Sequence, residues 1–365
     1  MSLETSDTQA GGKRIEAKDL REKNRKPLQD IVPVRTPFVV YVESTNMCNF
    51  KCTFCPTGDK DVLEESGRPN GTMKFAQYKK IIDDLKEFPD KLKLLSLYKD
   101  GEPLVHKQMA EMIAYARDAN IAERIWTKTN GALLNPKTNQ ALVDAGLSLI
   151  TISVEAVNAK GYLDIAKVKI DYEKFKENIA DLYARRGNMD VYIKIVDTGL
   201  SDEDRAKFYA DFQPISTHVA VEQLMGWSYS NIKDFTLGKK PDTYDGLPLI
   251  EKIACAYPLY VMAVNWNGTV SLCGNDWAHK TVVGDTNKES LKQIWEGENL
   301  YQFRRMMLEG RRGENKACGD CYYLKIVPDN IDAHREDILK KLSVGRPHVP
   351  FVDAQPTKRG LPVVR

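Results

Sequence analysis

The stretch Met47-Cys48-Asn49-Phe50-Lys51-Cys52-Thr53-Phe54-Cys55-Pro56 sets three thiols on one short segment, directly behind the run Phe-Val-Val-Tyr-Val-Glu at 38–43. A run of that kind, apolar and β-branched almost throughout, reads as a strand covered on both faces. The cysteines then fall on the loop at its C-terminal end, where α/β barrels gather their chemistry. Three thiolates on one loop can each take an iron of a cubane and leave the fourth iron without a protein ligand. A structural zinc site wants four ligands, and the nearest histidine in sequence is His106.

Outward from this loop the pattern repeats. Runs at 93–98, 124–129, 147–154, 190–197 and 217–223 have the same covered-strand character. Between them, 74–86, 107–119, 137–145, 172–183 and 202–212 have helical composition, with Asn135-Pro136 and Ser201 as helix starts. Strands alternating with helices give a parallel sheet of βα units, and six units make an incompletely closed barrel, open on one side. The predicted fold is α/β, a partial (βα)6 barrel over 36–228. A flexible tail at 1–35 precedes it, and a turn-rich linker at 229–250 follows.

The cysteine spacing resembles the signature of the radical S-adenosylmethionine superfamily, Cys-x3-Cys-x2-Cys with an aromatic residue just before the last cysteine. The resemblance implies a 4Fe-4S cluster on Cys48, Cys52 and Cys55 whose open iron is chelated by S-adenosylmethionine, with Phe54 against the adenine. Asp100-Gly101-Glu102-Pro103, after the second strand, is similar to the family's Gly-Gly-Glu-Pro segment with Asp in the first glycine's place. There Glu102 would hold the cofactor's ammonium group. Thr129-Asn130 and Ser153-Val154-Glu155, at the ends of the third and fourth strands, stand where the family places ribose contacts. Lys194 stands where it places a contact to the carboxylate or ribose.

A second group, Cys255, Cys273, Cys318 and Cys321, lies in the last third of the chain. Runs at 260–264 and 269–273 joined around Asn267-Gly268 read as a hairpin, and 289–295 as a helix. By ligand count these four soft donors suit zinc or an iron-sulfur cluster equally. The arrangement resembles the Twitch domain, a shortened relative of the SPASM domain, and so implies one auxiliary 4Fe-4S cluster ligated wholly by protein within 251–330. Residues 331–365 read as a C-terminal helix and an extended, proline-rich arm.

Composition narrows the function. A charged fraction of 28%, interspersed signs and a formal net charge of +2 give no basic stripe for nucleic acid. No apolar run approaches the ~20 residues needed to span a membrane, and the first thirty residues lack a signal peptide's apolar segment, so a cytoplasmic protein is expected. All seven cysteines fall into the two groups. The resemblance extends to Twitch dehydrogenases that oxidise an aminocyclitol hydroxyl. It implies hydrogen abstraction from a carbinol carbon of a polyol, sugar or aminocyclitol and transfer of the second electron to the auxiliary cluster, with a flavodoxin or ferredoxin as reductant. Asp276, three residues beyond Cys273, is the first candidate for the proton acceptor and Glu222 the second, with Lys194 also among the catalytic candidates and Tyr98 and Trp227 lining the pocket. A sugar or peptide epimerase, a peptide-modifying maturase and a non-enzymatic iron-sulfur electron carrier are the competing readings.

Overall fold

Val39–Val42 (β2) is hydrogen-bonded to a neighbour on each edge, and its Val40 and Val42 side chains are buried in the core. A computed structural model describes residues 12–14, 26–229, 232–239, 250–325, 327 and 329–352. It contains β1 (Lys13–Arg14), β2, β3 (Leu94–Ser96), β4 (Ile125–Thr129), β5 (Leu149–Val154), β6 (Asp190–Asp197), β7 (His218–Gln223), β8 (Val261–Val264), β9 (Thr269–Ser271) and β10 (Val282–Asp285). One sheet joins them in the order β1-β7-β6-β5-β4-β3-β2-β8-β9-β10.

Strands β2 to β7 run parallel in chain order, the arrangement the sequence predicts for the barrel. Helices Phe75–Asp84, Met109–Ala119, Pro136–Asp144, Tyr172–Arg185 and Asp202–Phe212 make the returns. Their caps are the expected ones: the Asn135 side chain accepts from the N–H groups of Lys137 and Thr138, and Ser201 from that of Asp204. Tyr172, Phe175, Ile179 and Leu182 form one buried helix face in the barrel core with Ile150, Ile152 and Val191 of the sheet.

The sheet does not close. β1 lies parallel on the outer edge of β7, and β8 parallel on the edge of β2. From β8 the sheet turns antiparallel through β9 and β10. The expected hairpin forms around Asn265–Gly268, where the Gly268 N–H donates to the Asn265 carbonyl at 2.9 Å and the glycine takes φ +90°. β8 is buried at every position because its side chains reach two cores, Met262 and Val264 one and Val261 the other.

Among the described residues five helices were not legible, two of them, Leu28–Ile31 and Lys316–Gly319, single turns. Lys60–Ser66 is short, Ala159–Ile165 contains Gly161, and Glu298–Leu308 buries Arg304 and Arg305 on its core side, which blurs its apolar stripe. Leu28 and Val32, within the stretch read as a tail, pack with Leu259, Tyr301 and Leu308 in a second core. The remainder of that tail (1–11, 15–25), linker residues 230–231 and 240–249, and arm residues 353–365 lie outside the described residues. Among the described residues no helix is long and apolar enough to cross a membrane.

Candidate active site

The first cysteine loop is held at three points. The Lys51 and Thr53 N–H groups donate to the carbonyls of Ala166 and Ile165, at the end of helix Ala159–Ile165, at 3.0 and 2.9 Å. The Glu102 N–H donates to the Met47 carbonyl at 2.8 Å. Trp227 Nε1 donates to the Phe54 carbonyl at 2.9 Å. At Gly101 φ is +73°, and a Cβ there would come within 2.6 Å of the Met47 carbonyl oxygen, so the contact admits only glycine.

A cavity of about 280 Å³ opens above this loop at the C-terminal ends of the strands. Cys48, Cys52 and Cys55 line it together with the expected Phe54, Gly101, Glu102, Thr129, Asn130, Ser153, Glu155, Lys194, Glu222, Tyr98 and Trp227. Pro103 begins a buried turn of 3-10 helix just outside. Gly274 and Asn275, from the loop that follows Cys273, also line it. The cavity is thus shared by the first cysteine loop and the neighbours of Cys273.

The Glu102 carboxylate accepts from the N–H groups of Leu104 (2.9 Å) and Asn130 (2.7 Å) and from the Thr129 hydroxyl (2.8 Å). Burial nevertheless raises its pKa to about 7, and burial raises Glu155 to about 7 as well. An ammonium in the cavity would therefore find a carboxyl that ionises on its arrival. Glu222 is also buried, but Lys194 at 2.6 Å, Lys128 and the Tyr192 hydroxyl at 2.8 Å hold it below the ordinary carboxylate range.

The cysteines fit iron better than zinc. Burial pushes the Cys48 and Cys255 thiols up to about 12 and raises the other five, so the thiolates need a metal centre to form. Cys255, Cys273, Cys318 and Cys321 face one another closely enough to interact electrostatically. Yet among the described residues no three cysteine sulfurs lie within 4.8 Å of one another. Tetrahedral zinc–sulfur bonds of about 2.3 Å would bring sulfurs to roughly 3.8 Å, whereas ligands at separate corners of a cubane stand wider apart. Arg312 pins the final pair by donating to the Cys318 and Gly319 carbonyls.

One expectation needs correcting. Asp276 does not reach the cavity: its carboxylate accepts from the N–H groups of Lys280 and Thr281, both at 2.8 Å, and from the Thr281 hydroxyl at 2.7 Å. It closes the loop between β9 and β10 and has no free lone pair aimed at a substrate. Conversely, the sequence reading missed Lys128, Trp126, Tyr41, Tyr257 and Tyr323, all on the cavity wall. For Trp126 and Lys128 a signal existed: period-two alternation along β4 puts both on the face of Asn130.

Residues 42–212 match the Radical SAM superfamily, and residues 255–322 match the SPASM iron-sulfur cluster-binding domain. The chain carries a radical SAM domain followed by a domain of the SPASM type; these two domains imply S-adenosylmethionine, its cluster and an auxiliary 4Fe-4S cluster. Among characterised proteins it is similar to the S-adenosyl-L-methionine-dependent 2-deoxy-scyllo-inosamine dehydrogenase of Niallia circulans, 24% identical over 78% of this chain and 92% of that one. It is 25% identical to the GTP 3',8-cyclase of Staphylococcus carnosus over 62% of this chain and 66% of the cyclase. The fold resembles the crystal structure of BtrN in complex with AdoMet and 2-DOIA, with a TM-score of 0.51, 21% identity, and coverage of 79% of this chain and 94% of BtrN.

Proposed function

We propose that the chain is a dehydrogenase that converts a carbinol of a small polyol, sugar or aminocyclitol to a ketone. The observation that carries this reading is that Cys48, Cys52 and Cys55 line one cavity together with Gly274 and Asn275 of the loop after Cys273. The likeness to a dehydrogenase over nearly all of that enzyme's length supports it.

When bound, the cluster of Cys48, Cys52 and Cys55 with S-adenosylmethionine supplies hydrogen-atom abstraction, and the cluster of Cys255, Cys273, Cys318 and Cys321 takes up one electron. The chain's own residues bind and orient. Phe54 offers an aromatic face for the adenine, Glu102 a carboxylate for the cofactor ammonium, and Thr129, Asn130, Ser153 and Glu155 a set of polar contacts for the ribose. Lys194, fixed by Glu222, offers a cation for the carboxylate. Tyr98 and Trp126 give the substrate side an apolar wall that excludes water. The reductant of the first cluster is a flavodoxin- or ferredoxin-type protein. An epimerase that returns hydrogen from a cysteine finds none to spare, since all seven belong to the two groups.

The test combines composition with product. Anaerobically reconstituted wild type should hold about eight irons and a Cys48→Ala, Cys52→Ala, Cys55→Ala variant about four. With 2-deoxy-scyllo-inosamine deuterated at the carbinol carbon as probe, the wild type should move deuterium into 5'-deoxyadenosine and release a ketone. Four irons in the wild type and none in the variant would remove the electron acceptor and with it the dehydrogenation.

A further inference from the structure

The cationic side chains on the cavity wall are not equivalent. Lys99 is fixed between the Asp100 carboxylate at 2.9 Å and the Asp276 carbonyl at 2.8 Å, and Lys194 by Glu222 at 2.6 Å. Lys128 has no hydrogen-bond acceptor and no ion-pair partner among the described residues. Its Nζ lies over the rings of Tyr98, 5.1 Å from the centroid, and Trp126, 5.6 Å. It projects from the same face of β4 as Asn130, whose side chain donates to Asn49 at 2.7 Å beside Cys48. The amine lines the same cavity as Cys48, Cys52 and Cys55.

With Asp276 committed to its own loop, and the Glu222 oxygens taken by Lys194 and Tyr192, both carboxylates named as candidate proton acceptors are already engaged. We infer that Lys128 Nζ accepts the hydroxyl proton of the substrate carbinol as that carbon is oxidised. This rests on the dehydrogenation proposed above. Oxidation of a secondary alcohol to its ketone removes two electrons and two hydrogens. The C–H hydrogen atom goes to the radical that S-adenosylmethionine supplies, and the remaining electron to the auxiliary iron-sulfur cluster. The O–H bond breaks with its proton passing to the amine lone pair, and the carbon–oxygen double bond forms. The ammonium that results is stabilised by the two ring faces.

The surroundings suit the resting amine. Burial, then the like charge of Lys194 on β6, lowers the Lys128 pKa to about 8; Glu222 on β7 and Glu155 beyond β5 oppose this. Tyr98, two residues beyond β3 and raised far above its ordinary value by burial, stays neutral. Near pH 8 an appreciable fraction of the amine carries a free lone pair.

The experiment uses the full chain as wild type, K128M and K128R, with deuterated 2-deoxy-scyllo-inosamine as probe. Expected is a fall of at least 100-fold in ketone for both variants, with 5'-deoxyadenosine still formed, KM within threefold, and a limb near pH 8 in the wild-type rate profile that the variants lack. Ethylamine should restore part of the ketone in K128M. Independently of turnover, the Lys128 resonance of the reductively 13C-methylated chain, assigned by its loss in K128R, should titrate near 8. Titration with the exposed lysines, or an amine that resists methylation, overturns the inference, as does a K128M that raises KM while keeping the wild-type pH limb. A wild type that forms no ketone while Lys128 titrates near 8 sinks the dehydrogenation reading instead.

Discussion

Gly101 shows how a single backbone atom can control a cofactor loop. An alanine there would hold a left-handed conformation that costs about 1–2 kcal/mol, and its Cβ would press on the Met47 carbonyl next to Cys48. Gly101→Ala is expected to lose the first cluster while keeping the auxiliary one, read as about four irons instead of about eight. Glu155 offers a pH test. Its folded pKa of about 7 exceeds the unfolded value near 4.5, so between these values the folded state holds the extra proton. Stability from this group is complete below about pH 4.5 and is lost as pH rises through 7, an effect of at most roughly 3 kcal/mol. Glu155→Gln removes the titration, so urea melts of the cofactor-free chain should show a smaller loss between pH 5 and 8 than wild type. An unchanged slope would mean that the carboxyl ionises freely. At this scale the ligands and the Glu102 segment were legible because their chemistry is carried by local spacing. Lys128 was not, since its meaning depends on Tyr98, Lys194 and Glu222 from elsewhere in the barrel.

Among elements, the loop between β9 and β10 explains the misreading of Asp276. A carboxylate three residues from a cysteine looks available in sequence, but the N–H groups of Lys280 and Thr281 that consume it are brought round only when the loop closes. Its role becomes the opposite of that of a base: it must stay fixed on its loop. In Asp276→Asn the amide end cannot accept from both the Thr281 N–H and its hydroxyl, leaving a buried donor unmet at about 1–3 kcal/mol. The variant should keep the first cluster and S-adenosylmethionine cleavage while auxiliary-cluster occupancy falls, seen by electron paramagnetic resonance. Full occupancy with slowed ketone formation would return Asp276 to the chemistry. The barrel strands were legible to within two residues because each lies in a covered apolar run bounded by turns. β10 was not, being four residues with Gly284 at its centre, where a Cβ would meet Ile294 at 2.6 Å.

Across the whole molecule, the two cysteine groups are not carried by separable bodies. Val39 to Val42 pair with Leu94 to Ser96 on one side and, residue for residue, with Val261 to Val264 on the other. The sequence could not announce that partnership, because strands more than two hundred residues apart leave no local sign of which edge they will share. Side chains add to the union: Arg68 from the barrel half donates to the Trp277 carbonyl at 3.2 Å, and Lys99 to that of Asp276. Separating the halves would expose the buried β8 and strand the charges of Glu43, Lys99 and Asp100. The reconstituted protein should therefore unfold in one calorimetric transition, and removing the auxiliary cluster by Cys255→Ala and Cys321→Ala should lower that transition's midpoint without splitting it. Two resolved transitions, one unchanged by the substitutions, would show that the shared sheet does not couple the halves, and the wall around Gly274 and Asn275 would then be free to move relative to Cys48.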